Sequence, residues 1–166
     1  KATARRAEPR VRQGGAEAAA SLRIVLDTGP RVYDRAHFEF NVSAAASLLT
    51  HFAQAGLEVE LVCGGFGLFS TQDLSSALVA LALVEPGPAD LAPTHSNAPM
   101  LLLTGRPDVR RSEELANSLR SAGQILLADH TGNQAVEVLA GAGFEVFLAS
   151  SDIAESLAQI SAVGVQ

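Results

Sequence analysis

Four short, almost unbroken apolar runs, separated by stretches of helical periodicity, constrain this chain more than any other feature. They are Leu22-Arg23-Ile24-Val25-Leu26, interrupted only by Arg23, then Pro99–Thr104, Ile125–Ala128 and Phe144–Ala149. Strands that stay apolar along their length are covered on both faces, which is the mark of parallel pairing with helices on each side. The intervening helical stretches run from about 38 to 55, 72 to 84, 111 to 121 and 132 to 140, with a last helix from a cap at Asp152 to about 162. The alternation predicts an α/β fold, a doubly wound, mostly parallel sheet of about six strands with helices on both faces.

The remaining two strands read differently. Leu57–Cys63 alternates apolar and acidic residues, as in a strand with one wet face near a sheet edge. Leu68-Phe69, after the turn Gly64-Gly65-Phe66-Gly67, fits a short antiparallel edge strand. The first helix places Phe38, Val42, Ala45, Leu49 and Phe52 on one face, and Gly56 ends it. Ser70-Thr71-Gln72-Asp73 reads as a capping box, and residues 86–98 as a Pro-rich connection.

At 166 residues the chain has the size of one domain. Residues 1–20 lack apolar periodicity and read as a flexible lead-in, leaving 21–166 as the folded domain. Of 12 basic and 18 acidic residues, five and one lie in 1–13, which leaves 7 against 17 in the remainder, a net of −10. An acidic body argues against nucleic-acid binding, which needs a basic face. Cys63 is the single cysteine, so no internal disulfide forms and a reducing compartment fits. The chain begins at Lys1 without a signal-peptide pattern, as a piece of a longer protein would. No apolar run approaches the roughly 20 residues that span a bilayer.

Asp27 is the leading candidate for chemistry, because ligands meet an open α/β sheet at the carboxyl ends of its strands. It could ligate a cation, act as a nucleophile or cap its own loop. Thr28, Thr71, Thr104 and Asp108 border strand ends and could share its rim. Gly29 and Arg31 stand where further oxygen ligands would be wanted, which favours an Asp27–Arg31 pair or a loop cap over a metal. A dehalogenase-type nucleophile needs a second acid two residues on, and Gly29 occupies that place. The run Gly64–Gly67 lacks the ending of a phosphate loop. His37, His51, His95 and His130 are scattered without metal spacing, Ser43 and Ser47 fit close helix packing, and Cys63 fits the core.

Several segments resemble one known family. Lys1-Ala2-Thr3-Ala4-Arg5-Arg6 resembles the end of the tryptophan-Lys-Ala-Thr-Ala-Arg segment of the bacterial domain of unknown function 58. Leu22–Thr28 resembles its central strand, Phe38–Ser47 its following helix and Ala80–Glu85 a later one. The resemblance implies a von Willebrand factor A-like fold with the adhesion-site aspartate at Asp27. It also implies the cytosolic portion of a membrane-anchored protein, with the anchor in a segment absent from this chain, and a protein partner such as a MoxR-type AAA+ ATPase. The adhesion motif D-x-S-x-S stands here as Asp27-Thr28-Gly29-Pro30-Arg31, with both serines gone, and the later Thr-Asp-Gly as Thr104-Gly105. The expectation is therefore a non-enzymatic interaction domain without a cofactor. Its partner-binding rim would be Asp27, Thr28, Gly29, Arg31, Thr71, Thr104 and Asp108. The alternatives are Mg or Mn held by Asp27 and Thr71, with Thr71 standing in for the motif's threonine, and a small phosphohydrolase.

Overall fold

The structure, a computed structural model, describes residues 22–29, 34–64, 68–87, 99–119, 124–127 and 133–149, together with 152, 154, 155 and 158. The lead-in, Arg31, His95, His130, Ala128 and most of the last helix lie outside those residues.

The apolar runs become the strands of one sheet. In chain order the elements are β1 (Leu22–Leu26), α1 (Arg35–Gln54), β2 (Val59–Cys63), β3 (Leu68–Ser70), α2 (Leu74–Leu83), β4 (Met100–Thr104), α3 (Val109–Leu119), β5 (Gln124–Leu127), α4 (Asn133–Gly141) and β6 (Glu145–Leu148). The sheet has 6 strands in the order β3-β2-β1-β4-β5-β6. All pairings are parallel except β2 with β3. A 3₁₀ turn over Thr71–Asp73 precedes α2, so the helix expected from 72 starts two residues later. Residues 154, 155 and 158 are helical, inside the expected last helix.

Period-two alternation along the strands splits the core in two. Ile24, Leu26, Leu61, Leu101 and Leu103 pack with Phe38, Ala45 and Leu49 of α1 and with Ala77 and Leu81 of α2. Val25, Met100 and Leu102 face the other way, against Leu115 of α3 and Leu139 of α4. Ala44 and Ala45, both fully buried, let α1 lie close on the sheet. Arg23, the polar break in β1, sits directly opposite Glu60 of β2, and the two form an ion pair with Arg23 Nε donating to Glu60 Oε2 at 2.8 Å. The alternating acid and the interrupted run are thus two halves of one contact.

Sheet order also sets where a site can form. The chain leaves β1 for β2 on one side and returns to β4 on the other, so winding reverses between β1 and β4. Helix α1 follows β1 onto one face and α3 follows β4 onto the opposite face. Loops that diverge at such a point leave a crevice beyond the carboxyl ends of the strands.

Candidate functional site

Asp27 and Thr104 stand at this reversal, one at the end of each central strand. Asp27 continues the hydrogen-bond ladder, its N–H donating to the Leu103 carbonyl at 2.9 Å. With the parity of Val25 its side chain turns toward α3. Both residues are completely buried. A buried carboxylate must be neutralised and fully hydrogen-bonded to persist, and this one is. Oδ1 accepts from the Gly29 N–H at 3.0 Å and from Arg111 Nη2 at 2.7 Å, while Oδ2 accepts from Thr104 Oγ1 at 2.8 Å.

The cation is supplied by α3. Asp108 caps this helix, its Oδ1 accepting from the Arg111 N–H at 2.7 Å. The cap fixes the first turn and thereby the direction of the Arg111 side chain, which is 20% exposed and also contacts Glu114 at 3.3 Å. Partial burial pulls the Arg111 guanidinium downward. The hydrogen bond and charge of Asp27, then those of Glu114, more than offset this and hold its pKa above the ordinary arginine value.

Gly29 relieves crowding at the carboxylate. A Cβ there would stand 3.1 Å from Asp27 Oδ1, a tight approach, and 3.5 Å from Arg111 Nη2, an ordinary contact. Around this centre the loops are tied down by main-chain contacts. The Thr104 carbonyl accepts from Asn41 Nδ2 at 2.9 Å, joining α1 to β4, and the Thr28 carbonyl accepts from the Gly87 N–H at 2.7 Å. Gly64, at φ +44°, lies so close to Thr28 that a Cβ would meet Thr28 Oγ1 at 3.0 Å. The Thr28 hydroxyl is buried and has no hydrogen-bond partner among the described residues.

Of the residues expected on one rim, Asp27, Thr28, Gly29 and Thr104 come together, and Asp108 joins them as a helix cap. Thr71 does not. Strand β3 runs antiparallel, pairing Ser70 with Glu60, and so carries the chain to the amino end of β2. There Thr71 Oγ1 donates to the Leu57 carbonyl at 2.9 Å and accepts from the Val59 N–H at 3.0 Å. Five residues of strand separate that level from Asp27, roughly 15 Å. The expected partner of Asp27, Arg31, lies outside the described residues, and the guanidinium on its carboxylate is that of Arg111.

A hard divalent cation takes six or more oxygens. Here the one carboxylate already holds a guanidinium, Thr104 donates its proton to that carboxylate, and Thr71 is at the other end of the strand. Among the described residues no group of three or more His, Cys, Asp or Glu side chains converges. This donor set does not fit Mg or Mn.

Sequence reasoning missed Arg111 and Asn41. Each carried a signal: Arg111 precedes the core residue Leu115 by one helical turn, and Asn41 lies among the core positions Phe38, Ala44 and Ala45. A polar residue on the buried side of a helix needs a partner on the sheet.

No protein-family model matches the chain, and no curated protein matches it. Among solved structures it is similar to a von Willebrand factor type A protein from Catenulispora acidiphila, with 13% identity and a TM-score of 0.47. The match covers 88% of this chain and 42% of that one, so the chain spans less than half of that structure's length.

Proposed function

We propose that this chain is a von Willebrand factor A-like domain that binds another protein through the loops at the carboxyl end of its sheet, without catalysis and without a metal ion. The observation that carries the reading is the state of Asp27 at the winding reversal. It is wholly buried, and both its oxygens are engaged by groups from its own loop, β4 and α3. A carboxylate so enclosed meets no substrate and attacks nothing. What it does is tie the end of β1, through Gly29, to the end of β4 and the first turn of α3, and the loops that leave such strand ends are where an open α/β sheet meets its partners.

The partner-facing residues on this reading are the exposed ones that the network positions, Arg106 and Arg110 beside the Asp108 cap. Resemblance to the domain of unknown function 58 family supports a MoxR-type AAA+ ATPase as the partner and a cytosolic domain carried by a membrane-anchored protein. Co-purification of the protein with a MoxR-type ATPase tests this. Arg106→Glu/Arg110→Glu should abolish the association while leaving the melting temperature within a few degrees. Leu68→Ser/Leu83→Ser, changing exposed side chains of β3 and α2, should leave it intact. Equal binding by the rim variant would refute the assigned surface, and no association in any nucleotide state would refute the partner.

A further inference from the structure

We infer that Arg111 is a tethered cation: its guanidinium is built into the fold as the counter-charge of Asp27, and Gly29 keeps the carboxylate it holds uncrowded. This stands on the geometry of the three residues and holds whether or not the rim binds the proposed partner. Two independent observations meet here. One is the 2.7 Å contact of Arg111 Nη2 with a carboxylate of zero exposure. The other is the position of the missing Cβ of Gly29, 3.1 Å from the carboxylate and 3.5 Å and 3.7 Å from Arg111 Nη2 and Nε. A Cβ at 29 would press on the carboxylate oxygen while touching the guanidinium only at ordinary contact distance, so the glycine keeps the carboxylate uncrowded on the side where Arg111 holds it. Gly29 also gives its N–H to the same oxygen that Arg111 holds, so the loop closes on the ion pair as one unit.

The consequence is a division of labour with a mobile ion. A dissociable cation would make the loop arrangement depend on its concentration, whereas a side chain anchored by the Asp108 cap is always present. Removal of the guanidinium leaves a buried acid with only the Gly29 N–H and the Thr104 hydroxyl on it, a set short of the oxygens that would hold a divalent ion in its place.

Thermal melting of the chain, with Mn²⁺ or with chelator, tests the assignment. The wild type should melt at the same temperature in millimolar Mn²⁺ and in EDTA. Arg111→Ser should melt lower by several degrees with either addition, and Arg111→Ser/Asp27→Asn should regain part of that loss, because the buried acid is then no longer unpaired. Asp27→Asn should cost much less in the Arg111→Ser background than in the wild type, because groups in contact are non-additive. Should Arg111→Ser fail to fold, the neutral pair Asp27→Asn/Arg111→Gln still should. Stabilisation of the wild type by Mn²⁺, strictly additive losses, or an Arg111→Ser protein as stable as the wild type would each overturn the assignment.

Discussion

At the residue scale, the chain spends its buried charges in pairs. Arg23 with Glu60 and Arg111 with Asp27 each place a guanidinium against a carboxylate, one pair on the sheet surface and one at its end. Loss of one member strands the other, so Glu60→Ala should destabilise by roughly 2–3 kcal/mol in urea unfolding, toward the low end for buried pairs because Glu60 is partly exposed. Gly29→Ser should cost about 1–3 kcal/mol by crowding the Asp27–Arg111 contact, more than the same change at the unhindered helix end Gly141. Burial pushes the Cys63 thiol up to about 11. It should therefore resist alkylation at pH 8 in the folded chain and react readily once unfolded. Asp27 was legible from sequence because it ends an apolar strand. Its cation was not, because Arg111 lies 84 residues away and reaches it only after α3 has packed on the far face.

At the element scale, helix beginnings were the least legible feature, and in each case a cap explains the difference. Helix α1 starts at Arg35, not Phe38, because Asp34 accepts from the His37 N–H at 2.9 Å. That contact, with smaller contributions from the His37 side chain, lowers the Asp34 pKa. A lowered carboxylate adds stability above its ordinary value of 3.8, lost as pH falls through the lower folded value. Hydrogen exchange should accordingly show the first turn of α1 loosening only in strong acid. Helix α3 starts at Val109 rather than 111, because Asp108, taken from sequence for a rim ligand, is its cap. Asp108→Ala should cost about 1 kcal/mol, and it should also loosen Arg111. The displacement of Thr71 has a different cause. The sequence already suggested a short antiparallel strand at Leu68-Phe69, but the rim assignment left out its consequence, that running against β2 carries Thr71 back to the amino end of the sheet.

At the scale of the whole molecule, the apolar runs carried the α/β class, and the order of the strands came only with the structure. Nothing in the composition of β1 and β4 says that they are neighbours, yet their adjacency puts Asp27 beside Thr104. The two half-cores lie on opposite faces of the sheet, so a cavity on either side weakens the strands that carry Asp27 and Thr104. Leu102→Ala on the α3–α4 side should cost roughly 2–5 kcal/mol, with rim-dependent binding lost as the fold fails rather than before. The two core faces, the winding reversal and the closed carboxylate network are the features on which the proposed recognition role rests.

The most direct test of this account is paramagnetic. Amide resonances of Gly29, Thr104 and Arg111 would be followed by NMR as Mn²⁺ is added to the wild-type chain. The account predicts sharp, unshifted signals from all three, with broadening only at scattered surface acids. Selective loss of those three signals at low Mn²⁺ would place an ion on Asp27 and contradict it.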